Sequence, residues 1–432
     1  MSTRSAIQKS FDCLSAVYID EAFGNIALNN LLNKTSQEDK ALVTKIVYGV
    51  LDSDLWLDFC LKNFVSKVEP SVLVLLKIGT FCITKLNLPS AVAVNDCVEL
   101  LKKQGKPWLC KFANAVLRNV SRAYEKDDFT LPQDKLSACS IKNSFPLWAL
   151  KKLKASFGEQ TAIDFASYQN SNPTTTVRVN TKHSSMEEIK EFCDKNSLKW
   201  QETSLPDALN VFGDVTLLTE KNVCTPMSLS AMYTAREIAP QKGENVLDCC
   251  AAPGGKSVYI ANMCPTATVT SCDIYEHKLK LINGYAKKMR VQNLKTVLND
   301  ATVLNDAFVG KFDKILLDAP CSGFGVLQSR PDVKVFRKAK DVATLALLQS
   351  KMLDVAKNYL KIGGKMVYST CTVFEEENSK NVTDFLKRNP NFELCSISNG
   401  QQSAFLDKIG FQFLPHVHGI DGFYIAVLKR NK

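Results

Sequence analysis

The sequence is poor in histidine, with four among 432 residues. It has no Cys-x-x-Cys pair and no Cys/His spacing of the kind that encloses zinc, so no metal site is expected. It also lacks a long hydrophobic run. The most apolar stretch, Val72 to Ile83, carries Lys77 and falls well short of the roughly 20 residues that span a bilayer. No secretory leader is apparent, so an oxidising compartment is not implied. These absences predict a soluble, cytoplasmic protein with no membrane partner, and they leave the oligomeric state open. Strict strand-like alternation is scarce in the first 128 residues, which argues against an all-β start.

What the sequence has in excess is cysteine and positive charge. Fifteen cysteines without ligand spacing read mostly as small, buried, reduced apolar residues. The net charge of +10 has the sign that suits a polyanion. Hydrophobic residues at 45% and charged residues at 23% can support a sizeable core. The length predicts two or three domains.

Three regions follow. Residues 1–128 predict helices, with Leu42, Ile46, Val47 and Val50, then Leu55, Leu57 and Phe59, at helical spacing. Ala91, Val94, Val98 and Leu101 continue the pattern, as do Phe112, Val116 and Leu117, and Pro70, Pro89 and Pro107 punctuate it. From Leu100 to Tyr124 the charged residues are Lys102, Lys103, Lys106, Lys111, Arg118 and Arg122, with no acid among them; such cations, free of carboxylate competition, suit phosphate contacts. A polar stretch over 125–138 reads as a linker. Residues 139–232 mix helix with strand, including an alternating run from Thr174 to Asn180, and form a small intermediate α+β region whose role the pattern leaves open. From 233 the pattern becomes α/β, with short apolar strands at Asn245–Cys250, Ala267–Asp273, Lys295–Asp300, Phe312–Pro320 and Gly364–Thr372. Alternation with helices, including a basic one from Lys278 to Lys295, predicts a parallel sheet covered on both faces. The last strand, Asp421–Arg430, is expected as an antiparallel hairpin at the sheet edge.

In such a sheet ligands sit beyond the carboxyl ends of the strands. The first of these strands runs into Cys250, Ala251, Ala252, Pro253, Gly254, Gly255 and Lys256. The paired glycines permit close backbone approach, but this is neither a dinucleotide nor a P-loop fingerprint. A nucleoside ligand without phosphates, such as S-adenosylmethionine, fits it better. Asp273 at the end of the second strand is placed to accept from a ribose diol, Asp300 after the third from an adenine amino group, and Asp318 at the end of the fourth lies near the methyl group. Cys321 and Cys371 follow the fourth and fifth strands, and their thiols are expected at one pocket. A thiolate adding to carbon 6 of cytosine makes carbon 5 nucleophilic, and a second group must then remove the carbon 5 proton. The chemistry alone does not say which cysteine attacks.

The strings LDCCAAPGGKS, CDI, LLDAPCSGFGVLQSRPD, LKIGGKMVYSTCTVFEEENS and DGFYIAVL, in this order, resemble the RNA (cytosine-5)-methyltransferase family, within it the bacterial 16S ribosomal RNA subgroup. KALVTKIVYGVLD, PSAVAVNDCVEL and FANAVLRNV resemble the NusB-type helical RNA-binding fold. The resemblance implies a Rossmann-like class I methyltransferase domain over 233–432 and an all-α NusB-like domain over 1–128. It implies S-adenosylmethionine as cofactor, held by Cys250 to Lys256 with Asp273, Asp300 and Asp318. It implies Cys371 as nucleophile and Cys321 as the residue that helps release product. The expected partner is 16S rRNA, naked or in a partial ribosomal particle. The sequence departs from the family around Arg330, Pro331 and Asp332, where Val335 replaces an aromatic residue, and over Cys224–Met232, which lacks the usual Gln-Asp or Gln-Glu pair. Methylation of another RNA such as tRNA, and a non-catalytic RNA-binding assembly factor, are the competing readings.

Overall fold

The computed structural model describes residues 3–168, 175–220, 222–397 and 409–432. Thr174, at the head of the alternating run expected from Thr174 to Asn180, lies outside the described residues. The chain forms two compact units. The first comprises Met1–Ser171 with Leu327–Arg337, the second Asn172–Val326 with Lys338–Lys432.

The first unit is helical, as expected for residues 1–128, and helices Lys135–Lys142, Leu147–Phe157 and Glu159–Tyr168 extend it into the stretch read as linker and mixed α+β. Its central helix, Pro70–Thr84, starts on Pro70 at the first turn, where a missing N–H costs nothing. Its flanks are buried on nearly every side, including Leu75, Leu76 and Ile78, which explains why the run is apolar all round rather than amphipathic. Helices Thr3–Tyr18, Gln37–Asp52, Ser90–Lys103 and Cys110–Glu125 wrap it. In Ser90–Lys103 the core face is Ala93, Val94, Cys97, Leu100 and Leu101, whereas Ala91, expected on that face, is exposed. The expectation of uncontested cations needs correction. Lys102 pairs with Glu99 at 2.7 Å and Lys106 with Glu69 at 2.5 Å, because folding brings in acids from outside the acid-free stretch. Such exposed pairs contribute only about 0–1 kcal/mol, so a phosphate can displace them. The Arg330–Asp332 segment, which departs from the family pattern, belongs to this unit. Its short helix Asp332–Phe336 buries Lys334, whose Nζ meets Asp52 Oδ1 at 2.5 Å.

The second unit holds two sheets. The smaller is antiparallel, with β1 Thr175–Val179, β2 Lys199–Glu202, β3 Ala208–Phe212 and β4 Cys224–Pro226 in the order β2-β3-β1-β4. Helix Met186–Lys195 accompanies it, started by a capping box in which Ser185 and Glu188 satisfy each other's backbone N–H groups.

The larger sheet carries the site. It contains β5 Asn245–Asp248, β6 Thr268–Asp273, β7 Leu294–Leu298, β8 Phe312–Asp318, β9 Leu360–Thr370, β10 Phe392–Cys395, β11 Phe411–Phe413 and β12 Phe423–Arg430. The order is β10-β12-β9-β8-β5-β6-β7, with β11 also on β12. Strands β5 to β9 pair in parallel. Alternate residues face opposite layers: Val246, Leu316 and Val367 pack with Met232, Tyr233 and Ile260, and Leu247, Ile315, Leu317 and Met366 with Leu353, Ala356 and Phe385. This is the α/β architecture with both faces covered that the apolar strands predicted. Two details differ. Strand β12 is antiparallel but lies between β9 and β10 rather than at the edge. The basic helix ends at Lys288, where Arg290 takes a left-handed conformation and Lys295 enters β7.

Lys77 explains its own presence in an apolar helix. Its ammonium lies 2.5 Å from Asp54 and 3.0 Å from Asp58, and the Tyr18 hydroxyl donates to Asp54 at 2.6 Å. Lys77→Met leaves Asp54 buried and uncompensated and is expected to cost about 3–5 kcal/mol, whereas a loss below about 1 kcal/mol in urea unfolding would mean that water already reaches the pair.

Candidate active site

The chain order places β6 and β7 on one side of β5, and β8 and β9 on the other. The switch point is therefore at the carboxyl ends of β5 and β8, where a crevice opens. The loop Cys250–Lys256 leaves β5 there. The Cys249 N–H donates to Leu316 O at 2.9 Å and the Ala251 N–H to Cys272 O at 2.8 Å, so both neighbouring strands hold the loop. Gly254 has φ 109° and starts helix Gly255–Met263. A Cβ there would lie 3.3 Å from the Ile282 backbone, so both the torsion and the space call for glycine.

A cavity of about 170 Å³ lies against this loop, lined by Cys250, Ala251, Ala252, Pro253, Gly255, Lys256 and Asp318. Asp248, Met227, Ser228 and Ala231 complete the wall. These four were not singled out from the sequence. Asp248 was legible as the last residue of a buried strand before the loop; Met227, Ser228 and Ala231 come from a segment whose motif departs from the family pattern. Burial pushes the Asp248 carboxyl up to about 7, against the lowering effect of its hydrogen bond from Ser257, so this wall changes charge near neutrality.

Lys256 and Asp318 form the charged centre. Lys256 Nζ meets Asp318 Oδ2 at 2.6 Å, and Ser369 Oγ donates to Asp318 Oδ1 at 2.8 Å. Burial works against the Lys256 charge, but Asp318, then Cys371 and Asp248, outweigh it and hold the ammonium above its ordinary range. The Phe423 ring lies 5.3 Å from the same Nζ.

Cys321 and Cys371 meet here, with their Sγ atoms 3.1 Å apart. The parallel register Asp318↔Ser369 brings the two following loops side by side. The Cys321 thiol is pushed well above its usual range by its hydrogen bond with Cys371, by burial and by the nearby anions Glu377 and Asp318. Burial raises the neighbouring thiols Cys249 and Cys250 in the same way, which leaves them unreactive. All fifteen cysteines are free thiols, most of them buried.

The remaining expected residues lie at strand ends outside the cavity wall. Asp273 ends β6, is nearly buried, and accepts the Tyr275 N–H at 3.1 Å, with Lys278 at 3.7 Å. Asp300 follows β7 and accepts from the Thr302 N–H and hydroxyl at 2.8 and 2.7 Å, a turn role that an aspartate fills in many loops. Among the described residues, no cluster of three or more His, Cys, Asp or Glu could hold a metal ion, and no helix is long and apolar enough to cross a membrane.

Comparison with known proteins places this geometry. A family model described as 16S rRNA methyltransferase RsmB/F matches residues 235–429. The NusB family model matches 4–122, and a model of the RsmF/B-like ferredoxin-like domain matches 145–216. The probable ribosomal RNA small subunit methyltransferase B of Bacillus subtilis is 31% identical over all of both chains. Ribosomal RNA small subunit methyltransferase B of Escherichia coli is 32% identical over 94% of this chain and 95% of its own. The crystal structure of PH0851 shares the fold, with a TM-score of 0.85 at 22% identity over 98% of this chain and 99% of that one. NSun6 from Pyrococcus horikoshii, solved with SFG, has a TM-score of 0.61 at 25% identity over 67% of this chain and 99% of its own. A relative aligned end to end, together with three family models covering the successive regions, shows that the chain belongs to the RsmB/F family of 16S ribosomal RNA methyltransferases.

Proposed function

We propose that this protein methylates carbon 5 of a cytosine in 16S rRNA, using S-adenosylmethionine and a transient covalent bond from Cys371 to carbon 6. The observation that carries the reading is the pair of thiols 3.1 Å apart at the end of β8 and β9, next to a cavity walled by Cys250–Lys256 and Asp318. The cavity suits the cofactor. Its wall has no phosphate cradle, backbone can approach closely at Gly255, and the Asp318 carboxylate, with the Asp248 carboxyl beside it, offers acceptors to a cationic amino acid end. When bound, S-adenosylmethionine supplies an electrophilic methyl group.

The chain's own residues supply the rest. The Cys371 thiolate adds to carbon 6, and the electron pair displaced onto the ring makes carbon 5 nucleophilic. Asp318 retains lone pairs beyond those used by Lys256 and Ser369, and with them it accepts from the cytosine amino edge. The Lys256 ammonium offsets negative charge as it develops beside it. After methylation Cys321, in contact with Cys371, passes its own proton to the Cys371 sulfur and takes up the carbon 5 proton; the electron pair of that C–H bond restores the ring double bond, and the pair of the Cys371–carbon 6 bond returns to Cys371 as it leaves. Asp273 and Asp300 contact the nucleoside part of the cofactor.

Residues 1–128 dock RNA and 233–432 carry the chemistry. In the first, Lys103, Lys106 and Lys111 stand close to Trp108 in the sequence, and Trp108, 69% exposed, offers a face on which an unpaired base stacks. The substrate is 16S rRNA, free or in a partial ribosomal particle, and the cytoplasm is its setting.

Two outcomes test the reading. Asp273→Ala is expected to weaken S-adenosylmethionine binding by roughly 1.5–3 kcal/mol through lost charge-assisted hydrogen bonds; unchanged affinity by calorimetry in the folded variant removes Asp273 from the cofactor contacts. RNA carrying 5-fluorocytosine should trap the wild type as a denaturation-resistant, RNase-sensitive band, because fluorine cannot leave as a proton does. Cys371→Ala should give no such band. Ordinary RNA should remain joined to Cys321→Ala. Trapping that survives Cys371→Ala would exclude Cys371 as nucleophile.

A further inference from the structure

The acidic stretch after Cys371 ends in Glu377 and Asn378, and neither touches the cavity described above. Both are buried. Each holds the backbone on the two sides of one cysteine.

Glu377 serves Cys321. Its Oε2 accepts the Ser322 N–H at 2.9 Å, and its Oε1 accepts the Ser322 hydroxyl at 2.5 Å. Gln349 Nε2 donates to Glu377 Oε2 at 2.9 Å and to the Pro320 carbonyl at 2.9 Å. Pro320 and Ser322 are the residues on either side of Cys321. All of these partners of the Glu377 side chain are donors, the set a carboxylate accepts and a carboxamide accepts only in part.

Asn378 serves Cys371. Its Oδ1 accepts the Thr370 hydroxyl at 2.5 Å, and its Nδ2 donates to the Thr372 carbonyl at 3.1 Å. Thr370 and Thr372 flank Cys371. Gln412 supports this arm by accepting from Asn378 Nδ2 at 2.8 Å and donating to Thr372 O at 3.2 Å. The two arms join where the Ser322 and Thr372 hydroxyls meet at 2.7 Å. The Tyr368 hydroxyl anchors the dipeptide to β9 by donating to the Glu377 carbonyl at 2.6 Å.

We propose that Glu377 and Asn378 are positioning residues for the two thiols, Glu377 through the flanks of Cys321 and Asn378 through the flanks of Cys371, so that one dipeptide fixes the 3.1 Å approach. The assignment rests on the two-cysteine reading above, but not on which cysteine attacks. The clamp also has an electrostatic consequence. After the hydrogen bond with Cys371 and burial, the Glu377 charge is among the causes that keep Cys321 a thiol.

The test is a single-turnover assay on an RNA substrate with ordinary cytosine, which follows adduct formation and adduct release separately. Cys321→Ala and Cys371→Ala serve as references. Glu377→Gln is expected to reproduce the step lost in Cys321→Ala, slowing it about a hundredfold, the scale of an ångström misplacement, while the other step stays within a few fold of wild type. Asn378→Ala is expected to reproduce the step lost in Cys371→Ala. If the two cysteines have exchanged roles, the references exchange phenotypes and the clamp variants follow them. The proposal is overturned if both clamp variants slow both steps equally, the signature of a merely structural role, or if neither step changes. Should either variant fail to fold by thermal melting, Ser322→Ala and Thr370→Val remove one hydroxyl from each arm. The same pairing of steps supports the clamp, and its absence refutes it.

Discussion

Strands β8 and β9 run in parallel register from Lys314↔Lys365 to Asp318↔Ser369, and the chemistry of the site depends on where that register ends. The Ala319 N–H still donates to Ser369 O at 2.9 Å, so the strands part only beyond it. Two loops then start side by side, about one strand spacing of 4.8 Å apart, and each carries a cysteine near its start. A slip of one residue would turn every side chain to the opposite face and would separate Asp318 from Ser369. Further along, Gly325 donates to the Cys371 carbonyl at 3.0 Å and Gly422 to the Gly325 carbonyl at 2.8 Å. A Cβ on Gly325 would fall 1.8 Å from the Gly422 oxygen, so only glycine lets the three loops approach so closely.

Around that pair, charge is arranged rather than minimised. Asp318 and Asp248 gather near one ammonium, Lys256, and Glu377 lies by Cys321. Asp318 engages Lys256 directly. Asp248 reduces the cost of its burial by remaining protonated up to about pH 7. Glu377 is enclosed by hydrogen-bond donors. One cysteine of the pair is held as a thiol by its partner and by burial, while the Lys256 cation stands near the other. An asymmetric pair is what an addition followed by an elimination requires, because the two steps need a nucleophile and a separate group to handle the proton.

Much of this was legible in the sequence, for definite reasons. Buried parallel strands read as short apolar runs, so β5, β6 and β8 were found close to their true limits, whereas β9 begins four residues before the expected Gly364; the residues at the carboxyl ends followed from the fold class. The helical unit announced itself through periodicity and proline. What escaped is what sequence distance hides. Glu69 reaches Lys106 from 37 residues away, whereas Glu99, one turn before Lys102 on the same helix, was legible just outside the stretch that looked free of acids. Strands β10 and β11, of four and three residues, are too short to carry a pattern, so β12 was expected at an edge that they in fact occupy. Glu377 and Asn378 stood inside a quoted motif, but their partners Gln349, Ser322 and Gln412 lie far away in the chain, and no spacing rule connects them.

The proposed activity is methylation of carbon 5 of one ribosomal cytosine through Cys371. Its most direct test is bisulfite sequencing of total RNA from cells lacking the gene, complemented either by the wild type or by Cys371→Ala. The account predicts one 16S rRNA cytosine that resists conversion only with the wild type. Protection of the same cytosine by Cys371→Ala, or a protected cytosine found only in tRNA, would contradict it.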